Sequence, residues 1–326
     1  MTTSQIVEQP SKVSGDEKLK RVVRKLTLFA AAPAHILLSN FDAGFIAEPS
    51  DKATLLRMWG KASAAYNSRG DHLRSIIGKD DVQEYVGVEE TKVGEMLSRV
   101  KQYAPYDSHE TGIFNVRISK LVTPQIVINE ARAKRRANVK PGLSDNELFD
   151  IAFNSAGNPE EITRQILGLN PAGGAVIFTS YDEDIRLHHP PEYRRIPINQ
   201  GDELSPTLES VCFAVGGGSP FSVAFRIPLG PGSGTRLILA NGIHRTYSLA
   251  RAGYEFCPMI VCDLIPLEIQ DPFADLPREI LLSPTANPPL ITDYLNEQFM
   301  IPLDYRTLLR TARLNWAIEQ NVIVLK

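Results

Sequence analysis

The spacing of hydrophobic positions changes near residue 110. Upstream, apolar residues recur at helical spacing. Leu55, Leu56, Met58, Trp59, Ala64 and Ala65 follow Asp51, a residue type that accepts the first free amides of a helix. Val93, Met96, Leu97 and Val100 repeat the pattern. From Thr111 the texture shifts. Ile113, Val116, Ile118, Val122, Ile126 and Ile128 alternate weakly and Pro124 interrupts them, which predicts one or two strands. EARAKRRANVK predicts a basic helix, and Ser144-Asp145-Asn146-Glu147 opens another at LFDIAFNSA. PEEITRQILGL reads as helical, with Pro159 in the first turn and Glu160 and Glu161 at its positive end. AVIFTSY reads as a buried strand. SVCFAV, SPFSVAFRIPL and TRLILA read as further strands, the last two joined by a glycine-rich hairpin over 230–234. After Asp263 the chain is proline-rich to Pro289. A helical pattern around ITDYLNEQF follows, and the final piece from Asp304 begins helical and ends β-branched. Tyr294, Leu295, Phe299 and Trp316 in this stretch call for burial.

These elements predict an α+β protein. Residues 1–18 read as a polar, disordered tail, 19–110 as a helical N-terminal region and 111–270 as an α/β core. Residues 271–326 read as a proline-rich and helical C-terminal extension that packs back on the core. A chain of 326 residues buries a sizeable core without staples. The formal net charge of −3 gives no global attraction to nucleic acid or anionic membranes. Cys212, Cys257 and Cys262 form no disulfide framework and fit a reducing cytosol. The polar N-terminus lacks an apolar signal core, and LFAAAPAHILL is too short to span a bilayer. A cytoplasmic protein with no membrane association is expected.

Candidate chemistry concentrates in 235–263, TRLILANGIHRTYSLARAGYEFCPMIVCD: strand, tight turn, helix, strand. Helix-start amides have no intrahelical partner, and such a place attracts phosphate or carboxylate. Asn241 suits the cap, Gly242 lets backbone approach an anion, and Arg245 offers a fork of donors. His244 donates or accepts and titrates near neutrality, and Thr246 stands near enough to assist. The plainer alternative is a well-capped turn, with His244 bonded inside and Arg245 paired with an acid.

The stretch resembles the ParB/sulfiredoxin superfamily. The resemblance is carried by Gly242-Ile243-His244-Arg245, then Leu249, Ala250 and Gly253, then Cys257-Pro258-Met259-Ile260-Val261. It extends loosely back to Ser219. It implies a ParB/sulfiredoxin-like core with a phosphate or nucleotide site at the turn. Members include a CTP-binding DNA partition clamp, an ATP-using sulfinic acid reductase, nucleotide-using serine kinases and nucleases. The implied ligands are ATP or CTP with Mg²⁺, and the implied chemistry is phosphoryl transfer or nucleotide hydrolysis.

Departures limit the transfer. The reductases carry a nucleophilic cysteine where this chain has Ile243, which excludes a thiol intermediate there. The partition proteins carry Gly-Glu-Arg-Arg and a following helix-turn-helix, and neither is seen in this sequence. A kinase needs a carboxylate base, for which Asp182, Asp184, Asp202, Glu203, Glu209 and Asp263 are candidates. Whether the protein is an enzyme stays open.

Other features read as structural. His188-His189 sits in a Pro-flanked segment where adjacent side chains diverge, so no metal site is expected. Cys257 and Cys262 lie an odd number apart on one strand and face opposite ways as small buried hydrophobes. Arg132, Lys134, Arg135 and Arg136 form a basic run without interleaved aromatics, and a solvated helix face is the ordinary outcome. The glycine runs match no Walker A pattern. The expectation is a nucleotide- or phosphate-binding protein. One alternative is a non-catalytic scaffold that keeps the fold and binds a protein partner. Another is a DNA-associated regulator, which the charge disfavours.

Overall fold

The computed structural model describes residues 22–70, 72–100, 110–136, 139–153, 163–170, 173–180, 185–187, 192–197, 207–212, 215–217, 221–263, 275–307 and 310–317. In chain order its elements are β1 (Val22–Thr27), α1 (Ala34–Asp42), β2 (Ile46–Glu48), α2 (Lys52–Asn67), β3 (Val82–Glu84), α3 (Glu90–Val100), β4 (Thr111–Arg117), β5 (Leu121–Val122) and β6 (Val127–Asn129). Then follow α4 (Glu130–Arg136), α5 (Asp145–Phe153), β7 (Thr163–Asn170), β8 (Gly173–Ser180), β9 (Ile185–Leu187), β10 (Glu192–Pro197), β11 (Thr207–Cys212) and β12 (Val215–Gly217). The last are β13 (Val223–Pro228), β14 (Thr235–Asn241), α6 (Ile243–Arg251), β15 (Phe256–Asp263), α7 (Arg278–Leu282), β16 (Ile301–Arg306) and β17 (Arg310–Ala317). The chain is α+β, as predicted.

Two sheets frame the core. The larger has the order β3-β4-β15-β13-β14-β5, with β13–β15 and β14–β5 parallel and the other pairs antiparallel. The smaller, β2-β16-β1-β6, is antiparallel throughout. Residues 121–129 leave the first sheet as its edge strand β5 and enter the second as its edge strand β6. A C-terminal strap runs along this shared edge. Thr123 N–H donates to Pro289 O at 2.9 Å, Asp275 N–H to Pro124 O at 3.1 Å, and Tyr294 Oη to Gln125 O at 3.0 Å. Three further units, β17-β8-β7, β10-β11 and β12-β9, pair among themselves.

Local signals fix several helices. Asp51 accepts from Thr54 N–H at 2.7 Å and starts α2. Ser144 and Glu147 cap α5 reciprocally: Ser144 N–H donates to Glu147 Oε2 at 2.8 Å, and Glu147 N–H to Ser144 Oγ at 3.4 Å. The 230–234 hairpin joins β13 and β14, with Leu229 N–H donating to Gly234 O at 3.0 Å.

The strap is held by an arginine in the core. Arg236 on β14 is 0% exposed. Its guanidinium donates to Ser75 Oγ at 2.9 Å, to Leu281 O and Ser283 O at 2.8 Å each, and to Ala286 O at 2.7 Å. Beside it, Arg69 lies over the Tyr66 ring and donates to Asn287 O and Pro288 O at 2.9 Å each.

Several expectations need correcting. The region read as helical over 19–110 also contains β1, β2 and β3. β1 is drawn into a ladder with β16 and β6, so long-range pairing overrides its local pattern. The helix expected over Pro159–Leu169 is strand β7 from Thr163; it pairs with β8 up to Asn170↔Gly173. The helical start expected after Asp304 is strand β16, whose Ile301, Leu303 and Tyr305 are buried in strict alternation. ITDYL is a 3-10 turn over Ile291–Leu295; Tyr294 and Phe299 are buried, but Leu295 is 43% exposed. The expected tail over 1–18, His188-His189 and the Trp316 side chain lie outside the described residues.

Candidate functional site

The strand–turn–helix–strand read from the sequence is present as β14, α6 and β15. β14 ends at Asn241, paired with Val223 at the start of β13. Gly242 then takes φ +92°, a left-handed conformation that L side chains avoid. A Cβ built on Gly242 would lie 2.6 Å from Ser222 Oγ and 3.0 Å from Ser222 Cα, so glycine is required by space as well as by φ. The first backbone bond of α6 runs from Thr246 N–H to Gly242 O at 2.9 Å. The amides of Ile243, His244 and Arg245 therefore precede the helical ladder and sit at its positive end.

The five predicted site residues come together here, but several of their polar groups turn inward. Asn241 does not cap the helix; its Oδ1 accepts from the neighbouring Gly242 N–H at 2.8 Å, and Gly242 holds the cap position. Arg245 is 3% exposed and its Nη2 donates to Phe221 O at 2.6 Å. Thr246 is 1% exposed, with Oγ1 donating to Gly242 O at 3.1 Å. His244 Nε2 accepts from Asn129 N–H at 3.3 Å. The expected fork of Arg245 on an anion is thus partly spent on Phe221, whose neighbour Ser222 presses on the turn.

α4 and α6 lie side by side and run in the same sense. His244 meets Asn129, and four residues on, Ser248 Oγ donates to Ala133 O at 3.2 Å. Glu130 Oε1 accepts from Tyr247 Oη at 3.3 Å and Arg251 Nη1 at 2.8 Å. Burial, and after it the Glu130 charge, pushes the Tyr247 phenol up. Arg132 of the basic run is 6% exposed while Lys134 is exposed, so the run is not one solvated face. The Arg135 and Arg136 side chains lie outside the described residues.

Among the candidate bases, Asp263 is paired with Arg226, at 2.7 Å between Oδ2 and Nη2. It sits opposite Arg226 on β13, whereas Asn241 sits opposite Val223. Their partners on β13 are three positions apart, roughly 10 Å along the strand, and β14 and β15 flank β13 on opposite sides, which adds two strand spacings to the separation. Asp182, Asp184, Asp202, Glu203 and the Glu209 side chain lie outside the described residues. Among the described residues no group of three or more His, Cys, Asp or Glu converges to hold a metal ion.

Sequence reasoning missed Ser222 and Asn129. Both reach the turn across the fold, and only the loosely matching stretch from Ser219 pointed towards Ser222. Cys257 and Cys262 are buried, as expected, and are not joined in a disulfide; burial pushes the Cys257 thiol up to about 12. No helix among the described residues is long and apolar enough to cross a membrane. No family model, no curated protein and no solved structure matches this chain.

Proposed function

We propose that the β14–α6 turn binds the phosphate of a nucleotide, ATP or CTP with Mg²⁺, or of another phosphorylated ligand, as its resemblance to ParB/sulfiredoxin proteins implies. The observation that carries this reading is the left-handed Gly242 at the start of α6, followed by amides that precede the helical ladder. Backbone donors converge on an anion in such a turn, and the helix dipole favours it. The Arg245 guanidinium, bonded to Phe221 O behind the turn, adds positive charge there. Phosphoryl transfer or nucleotide hydrolysis is the chemistry implied if turnover occurs. Cys257 and Cys262, buried and not joined in a disulfide, suit a cytoplasmic setting.

A non-catalytic scaffold is the second reading. It is favoured by the inward bonds of His244, Arg245 and Thr246 and by the engagement of Asp263 with Arg226.

The test is thermal unfolding of the wild-type protein with ATP, ADP, CTP, GTP and pyrophosphate, each with and without Mg²⁺. A ligand at a hundred times its Kd stabilises the folded state by about 2.7 kcal/mol and raises the midpoint. No shift with any of them at millimolar concentration would reject phosphate binding and leave the scaffold. Arg245→Ala is not a clean reporter, because it also strips Phe221 O of a buried partner.

A further inference from the structure

The turn contains a hydroxyl that the described fold does not use. Ser222 is 3% exposed. Its backbone is engaged on both sides: N–H donates to Ala152 O at 2.9 Å, and the carbonyl accepts from Ile260 N–H at 3.0 Å. Its position is therefore fixed by α5 and β15. Its side chain lies against the helix cap, with Oγ 2.6 Å from where a Gly242 Cβ would stand. Among the described residues, nothing donates to Oγ or accepts from it. Alanine would occupy the same space and bury no polar atom. Oγ is not among the closed-off side-chain atoms that lack a partner, so a small opening reaches this hydroxyl and a ligand oxygen can take the place of water there. It points to a group that the folded chain does not supply, at the place where the amides of α6 precede its ladder.

We propose that Ser222 is a side-chain ligand of the anion at this turn, its O–H donating to a phosphate oxygen beside the first amides of α6. The inference rests on the phosphate-binding reading of the turn and adds to it the side chain that touches the ligand. Two neutral donor types, a hydroxyl and backbone amides, then make the contact, while Arg245 supplies charge from behind. The ligand chemistry is a phosphate group, whether free or at the end of a nucleotide.

The experiment is calorimetric titration of wild type and Ser222→Ala with inorganic phosphate, pyrophosphate, ATP and CTP, each with Mg²⁺, alongside their unfolding midpoints without ligand. Loss of a hydrogen bond to a charged group should weaken binding roughly ten- to a hundred-fold. The ligand-free midpoint of Ser222→Ala should equal or exceed that of wild type. Tight binding of inorganic phosphate identifies a free-phosphate site, and binding of ATP or CTP without it identifies a nucleotide site; both support the assignment if the variant is weakened. Equal affinity in the two proteins overturns the role of Ser222 and leaves phosphate binding standing. A lower ligand-free midpoint in Ser222→Ala assigns the hydroxyl to the fold and also overturns it. Failure of wild type to bind any probe removes the phosphate reading, and this inference with it.

Discussion

At the scale of single residues, Arg236 shows how one buried cation organises distant chain. Burial pulls its pKa down to about 10, which leaves it charged at neutral pH. The charge is solvated by three carbonyls and a hydroxyl in place of water. Removing it strands those carbonyls inside, and each buried group left unsatisfied costs about 1–3 kcal/mol. Arg236→Met is therefore expected to lower unfolding free energy by roughly 3–5 kcal/mol in urea denaturation. Arg236→Lys should fall between, because one ammonium cannot reproduce the planar fork. A methionine variant within about 1 kcal/mol of wild type would contradict this account of the strap. Nothing near Arg236 in sequence announces the role: its carbonyl partners lie 45 to 50 residues away. Asp51 and Ser144–Glu147 were legible because their partners are three residues along. Ser222 was hidden for the same reason as Arg236, since its contact with Gly242 crosses twenty residues.

At the scale of elements, β14, α6 and β15 were readable because each is bounded by its own punctuation. Gly242 and Gly253 mark the helix ends, and both take positive φ. β7 and β16 were not readable because their conformation is set by strands they meet across the sheet. β15 also shows what burial on both faces does to chemistry. Every residue from Cys257 to Cys262 is buried, so cysteines on opposite faces are equally enclosed. A thiol raised to about 12 holds almost no thiolate at neutral pH. Alkylation of the native protein, read residue by residue by mass spectrometry, should leave Cys257 and Cys262 unmodified until denaturant is added. Rapid native labelling of either would mean that β15 opens locally, against the packing seen here.

At the scale of the whole molecule, the four-stranded sheet joins the expected regions. β1 and β2 come from the N-terminal region, β6 from the core and β16 from the C-terminal extension. β16 sits between β1 and β2, and the strap before it brings Asp293 to Arg74 at 2.9 Å. The C-terminal extension is thus structural. Deleting residues 290–326 should abolish the cooperative thermal transition followed by circular dichroism; a sharp transition at the wild-type midpoint would show that the rest folds alone. One more feature acts at this scale. β6 ends its sheet, and an uncovered strand edge offers a row of amides on which a second chain can add. The His244 imidazole occupies the outward Asn129 amide at that edge. The side chain that marks the motif thus also takes one edge donor out of reach of a second chain.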